Sequence, residues 1–229
     1  MSQTENSAPP PRYAEGLLRY KHGDREGALA FFADLALSLP GDAQAHYLHG
    51  LILFRLARFA EAQAPLRRSA DLFPGEDALI KLAMAQGQTG NMQACLATLE
   101  EAARRLPGSA EVRAFLGTTL RSLDRLEEAL EAYDAALARN PDHVPALWGL
   151  GLALGMRDRH AEGMAVLRRA IALDPAFPPP HFHLGVLAWA AGDPGETRRQ
   201  ETLLRTLAPS YADRLAQIMT PERTPHEAV

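Results

Sequence analysis

AEVRAFLGTTLRSLDRLEEALEAYDAALARNP, from Ala110 to Pro141, carries two apolar stripes at helical spacing. Leu116, Leu120 and Leu123 share one face of its first half, and Leu126, Ala129, Leu130, Tyr133, Ala136 and Leu137 share a face of its second. Steps of three and four residues mark amphipathic helices. Leu123-Asp124-Arg125 breaks the pattern, so the stretch reads as two antiparallel helices joined by a short turn. Its closing proline belongs to a series: Pro40, Pro74, Pro107, Pro141, Pro175 and Pro209, at intervals of 34, 33, 34, 34 and 34. Each ends a similar phrase, from "LALSLP" and "SADLFP" to "AIALDP". A helical hairpin recurring at this period predicts a solenoid, in which every unit buries its apolar face on its neighbours.

Small residues recur in register. The first helices carry Gly16, Gly50, Ala83, Gly117, Gly151 and Gly185, and the second helices Ala28, Ala62, Cys95, Ala129, Gly163 and Thr197. An interior glycine costs a helix roughly 0.5–1 kcal/mol relative to alanine. Its repetition at one register predicts that close helix approach offsets the cost. Two faults interrupt the regularity. Pro65 falls inside a second helix, where it predicts a kink or a shifted turn. The interval from Pro74 to Pro107 is one residue short, which predicts a tight connection near Gly75.

The phrasing resembles the tetratricopeptide repeat family, through Leu116, Gly117, Leu120, Ala129, Tyr133, Ala136 and Pro141 and their counterparts in other units. Arg113 departs from it, standing where the family has an aromatic. The resemblance implies an all-α, right-handed αα superhelix, a TPR solenoid. Six units are read at 9–42, 43–75, 76–109, 110–143, 144–177 and 178–209, after a disordered lead at 1–8. The last unit is eroded: Glu201 stands where the others have Phe32, Leu66, Leu99, Tyr133 and Leu167. A capping helix is expected at 210–219, capped by Ser210 and apolar along Tyr211, Leu215 and Ile218, before a flexible tail at 220–229.

Composition narrows the function classes. With 24 basic and 28 acidic residues the net charge is -4, which disfavours nucleic acid as a partner. The paired arginines at 67–68 and 168–169 form at most a local basic ridge along the second helices. No apolar run is long enough to span a bilayer, so membrane insertion is not expected. The single cysteine, Cys95, excludes an internal disulfide and suits a reducing compartment such as the cytoplasm. The start of the chain has neither the basic residues nor the apolar run of a secretory signal.

The resemblance also implies a groove, lined by the second, fifth, ninth and twelfth residues of each repeat. By register these include Tyr13, Leu17, Tyr20, Tyr47, Leu51, Phe54, Met84, Arg121, Trp148, Leu152, Phe182, Val186 and Trp189, with Pro10 at the leading edge. The set holds both tryptophans and three of the five tyrosines. Clustered exposed aromatics are typical interface anchors. Arg55 and Arg121 are the candidate polar orienters of a bound segment. The alternative remains that some of these side chains sit in the seams between neighbouring first helices. The lysine and asparagine clamp by which some family members hold a terminal carboxylate is absent.

No catalytic residue, metal ligand set or cofactor is expected. There is no GxxxxGK[ST] or HExxH motif, and the glycines of Gly149 to Gly155 lie within a helical stretch rather than after a strand. His46 and His49 are spaced to share a helix face but have no companion ligand. His181 and His183 point in different directions if helical. The sequence thus points to a non-catalytic scaffold or adaptor that binds another protein as an amphipathic helix or an extended segment. Two alternatives stand beside it: a regulatory domain or accessory subunit of an enzyme such as a glycosyl- or sulfotransferase, and a homo-oligomeric scaffold.

Overall fold

The computed structural model describes residues 11–219. The expectations for the lead, for Pro10 and for the tail at 220–229 lie outside them. The described residues form thirteen α-helices and no strand. Contacts divide the chain into two compact units, Met1–Pro107 and Gly108–Val229. The first holds α1 (Pro11–Lys21), α2 (Arg25–Ser38), α3 (Ala43–Arg55), α4 (Phe59–Leu72), α5 (Glu76–Gln88) and α6 (Met92–Arg105). The second holds α7 (Ala110–Ser122), α8 (Leu126–Arg139), α9 (Val144–Met156), α10 (His160–Leu173), α11 (Pro178–Ala190), α12 (Pro194–Leu207) and α13 (Pro209–Ile218). Within each unit successive helices pack as hairpins, and each hairpin packs on the next.

Local sequence sets where the helices begin and turn. The turn inside every hairpin needs one left-handed residue, filled in order by Gly23, Ala57, Gly90, Asp124, Asp158 and Gly192, all at positive φ. Glycine adopts this conformation freely, and aspartate tolerates it better than alanine does. Side-chain N-caps follow. Asp42 accepts from the Gln44 and Ala45 amides, Ser109 from Val112 and Asp193 from Glu196. His143 caps α9 through Nδ1, accepting from the Ala146 amide. That fixes its proton on Nε2, which donates to Glu111 Oε2 at 2.7 Å.

The small-residue register has one use, which is to admit a bulky side chain sixteen positions on. A Cβ placed on Gly16, Gly50, Gly117 or Gly151 would lie 2.7, 2.6, 2.8 and 2.6 Å from atoms of Phe32, Leu66, Tyr133 and Leu167 respectively. Those four large side chains are fully buried. In the eroded last hairpin Glu201 cannot serve, and Leu215 of α13 fills the place against Gly185 instead. α13 packs on both α11 and α12, with Ala212 and Leu215 buried.

Several local expectations need correction. Pro65 causes no shifted turn, because α4 runs through it. Ser210 is not the cap of α13: the helix starts one residue earlier at Pro209, with Ala208 at the cap position and no side-chain cap bond. Several of the paired arginines are engaged locally. Arg67 Nη1 donates to Glu101 Oε2 at 2.7 Å, and Arg68 and Arg169 donate to the Pro40 and Pro141 carbonyls. Near Gly75 the inter-hairpin connection does shorten, from the four residues 39–42 to the three residues 73–75, with no side-chain cap on α5.

Candidate functional site

In the first unit the register places Tyr13, Leu17 and Tyr20 on α1, Tyr47, Leu51 and Phe54 on α3, and Met84 on α5. Tyr13 is only 3% exposed, and its hydroxyl donates to the Asp42 carboxylate at 2.8 Å. It is therefore a core residue rather than an open groove anchor. Burial raises the Asp42 carboxyl, but the bonds from Tyr13 and the Ala45 amide, with Arg12 nearby, outweigh it and hold the group below its ordinary value. Leu17, Tyr20, Tyr47, Leu51 and Phe54 are half-buried along the flank of the core. Lys81 Nζ lies 5.7 Å from the Phe54 ring centroid, covering part of that face. Arg55 is exposed and Met84 half-buried.

The large apolar residue that register analysis missed here is Phe73, 68% exposed. It borders a hollow of about 670 Å³ together with Arg12, Tyr13, Leu39 and Asp42. The available signal was its place in the inter-hairpin connection, where two later repeats have Asn140 and Asp174.

The second unit brings its candidates together more closely. Phe177, Trp148, His183, Phe182 and Tyr211 form a continuous aromatic row. Successive ring centroids are 5.9, 5.7, 5.0 and 5.4 Å apart. Beside the row lies an open apolar cavity of about 300 Å³. Its walls come from α9 (Leu152, Gly155, Met156), α11 (Phe182, His183, Val186, Leu187) and α13 (Arg214, Ile218). Two register candidates change role. Phe182 is 5% and Val186 9% exposed, so they are the wall of a recess and not protruding anchors. Trp148 is half-buried, with its indole Nε1–H donated to His183 Nδ1 at 3.1 Å. Leu152 lines the cavity as a half-buried side chain, and Trp189 is half-buried one turn beyond Val186.

His183 is the unusual titratable group of this face. Burial, reinforced by Arg121 and Arg214, pushes its pKa down to about 4 against an opposing hydrogen bond to the Pro179 carbonyl. At neutral pH it is an uncharged imidazole. Its Nδ1 also lies 2.8 Å from the Pro179 carbonyl oxygen, so acceptance from Trp148 and donation to Pro179 compete for one nitrogen. His181, two residues earlier, points away into a buried network with Gln200 and the Pro175 carbonyl. The two histidines therefore share no site. His46 approaches the Pro40 carbonyl. Among the described residues no group of three or more His, Cys, Asp or Glu side chains is placed to hold a metal ion. No helix of the described residues is long and apolar enough to cross a membrane.

Sequence reasoning missed His183, Met156, Leu187, Arg214 and Ile218 as cavity residues, while the register did select Gly155. Arg214 and Ile218 lie on α13, outside the six-unit register from which the groove was read. The Arg214 guanidinium stacks on Phe182 at 4.7 Å and on Tyr211 at 5.4 Å. Arg121 is half-buried on α7, and its Nε has no hydrogen-bond partner.

Helical hairpins at this period, with a small residue under each bulky one, define an interaction repeat. The tetratricopeptide repeat model matches residues 13–77, 80–137 and 116–178. The chain belongs to the tetratricopeptide repeat family, whose fold serves as a protein–protein interaction scaffold. Among curated protein sequences none matches the chain. Solved structures share the fold. TTC0263, a thermophilic TPR protein of Thermus thermophilus, has a TM-score of 0.65 at 24% identity, over 77% of this chain and 98% of its own. YrrB, described as a TPR protein with an unusual peptide-binding site, has a TM-score of 0.59 at 20% identity, over 74% of this chain and 88% of its own. The Cut9–Hcn1 hetero-tetramer of the APC/C has a TM-score of 0.74 at 14% identity, over 91% of this chain and 42% of the matched chain.

Proposed function

We propose that the chain is a non-catalytic adaptor that holds a helix or extended segment of another protein against the first-helix faces of its repeats. The observation that carries this is the recess of the second unit. Small open hollows are common on protein surfaces. This one is apolar, spans three helices, and is bordered by a row of five aromatic rings. Such a recess suits one or two apolar side chains of a partner, in the manner of an anchored peptide. Arg55 and Arg121 are the proposed orienters in the two units.

The test is site-specific photo-crosslinking in the cell. A photoreactive residue at Met156, on the cavity rim, is expected to capture a discrete partner. The same residue at exposed Leu173 is expected not to capture it. Filling the cavity by Leu152→Trp should abolish the Met156 adduct while circular dichroism shows an unchanged helix content. Equal capture from both positions, or an adduct that persists in Leu152→Trp, would refute the proposal.

A further inference from the structure

Two arginines bear on the recess of the second unit: Arg214 lines it, and Arg121 acts electrostatically on His183 of its wall, as Arg214 does. The Arg121 Nε is buried and has no hydrogen-bond partner. The Arg214 guanidinium lies over the Phe182 and Tyr211 rings, at 4.7 and 5.4 Å from their centroids. Neither Arg121 nor Arg214 forms an ion pair among the described residues, in a chain where most arginines do. Asp213, the residue before Arg214, pairs with Arg205 instead. His183 between the two arginines is neutral, held so by burial and by their charge. The recess is therefore apolar, with the positive charge of Arg214 in its wall and that of Arg121 close to His183.

A buried donor without a partner costs free energy, and a low-dielectric site strengthens any charge that satisfies it. We infer that the recess takes an acidic peptide: an apolar side chain enters the cavity and flanking carboxylates pair with Arg121 and Arg214. This rests on the adaptor reading above and adds the chemistry of the partner. The arginines come from α7 and α13, with α9 and α11 between them. That placement suits an extended segment bearing several carboxylates better than a small single acid. The cavity of about 300 Å³ admits a leucine or phenylalanine side chain but little backbone.

The experiment is fluorescence anisotropy on the full chain with three labelled dodecapeptides. Each has a central leucine–phenylalanine pair, flanked by glutamate, glutamine or lysine. The glutamate peptide is expected to bind at least about tenfold more tightly than the glutamine peptide, and to weaken as salt rises. Arg121→Gln and Arg214→Gln should each lower its affinity by about tenfold and leave the glutamine peptide unaffected. Leu152→Trp should abolish binding of both. Circular dichroism and thermal melting establish that each variant is folded.

If the glutamate and glutamine peptides bind equally and Leu152→Trp removes both, the acidic inference fails while the groove reading stands. If the glutamate peptide binds but ignores Leu152→Trp, its site is elsewhere and the inference fails. If no peptide binds and dodecanoate does, with the same arginine dependence, the recess is a fatty-acid site and both readings fall. Binding by none of these probes overturns the inference.

Discussion

Tyr133 is held between two glycines, and replacing one of them gives a sharp test of how the repeats interlock. Gly117, in its own hairpin, and Gly149, in the next, both face the Tyr133 ring. A Cβ on Gly149 would sit 2.4 Å from ring atoms Cε1 and Cζ and 2.6 Å from the hydroxyl oxygen. The ring has little room to retreat, because Tyr133 is fully buried and Gly117 also packs close against it. Its hydroxyl is also tied to Thr118 Oγ1 at 3.1 Å. Forcing a methyl into such a site costs about 1–3 kcal/mol. Alanine recovers about 1 kcal/mol of helix propensity. Gly149→Ala should therefore destabilise the protein by up to about 2 kcal/mol, a fall in Tm of up to a few degrees for a chain of this size. The decisive arm is the double-mutant cycle. In a Tyr133→Leu background the obstructing ring atoms are gone, so the same change should become stabilising by up to about 1 kcal/mol. Thermal melts of the four proteins by circular dichroism measure the coupling. If Gly149→Ala has the same sign and size in both backgrounds, Tyr133 is not what excludes a side chain there.

Three further outcomes are expected. Ala57→Gly should stabilise by about 1 kcal/mol, since Ala57 occupies a left-handed turn position that glycine fills without steric cost; an unchanged or lower Tm would count against turn strain. Leu215→Ala should destabilise by about 2–5 kcal/mol, because Leu215 is fully buried against Gly185 where Glu201 cannot pack, and a smaller loss in urea unfolding would mean that α13 is only loosely docked. His183, with a folded pKa of about 4 and an ordinary value near 6.5 in the unfolded chain, stabilises fully above pH ~6.5 and loses that contribution as pH falls toward 4. Urea midpoints should show the wild type losing roughly 3 kcal/mol more than His183→Gln across that window, and parallel pH profiles would show that His183 is not the group responsible.

The repeat architecture was legible because it is written redundantly. The period appears in the prolines, in the glycine register and in the turn residues, and each is enforced by backbone geometry close in sequence. The partner of each glycine was not specified, but its offset of sixteen residues could be found by asking which large residue recurs, as Phe32, Leu66, Tyr133 and Leu167 do. The recess was less legible. Register arithmetic picked out Phe182 and Val186, which lie on α11, yet it could not tell a protruding ring from a cavity wall. That distinction depends on α13, which covers Phe182 with Tyr211 and Arg214 and lies outside the repeat pattern. Tyr13 was misleading for a similar reason. Its hydroxyl meets Asp42, a residue of the next hairpin whose capping role is local and whose second contact is not. His143 shows the converse, an imidazole used as a helix cap, a choice that cap propensities rank low.

One wall of the recess belongs to α13, at ten residues the shortest helix among those described. Its hold on the rest of the unit runs chiefly through Ala212 and Leu215. A cavity with such a wall exists only while that helix is docked, so intrinsic affinity and docking equilibrium multiply. The apparent dissociation constant is the intrinsic one divided by the docked fraction. Linkage then runs in both directions: an occupant slows hydrogen exchange along α13, and any change that loosens α13 is felt as weaker binding without touching a single contact to the occupant.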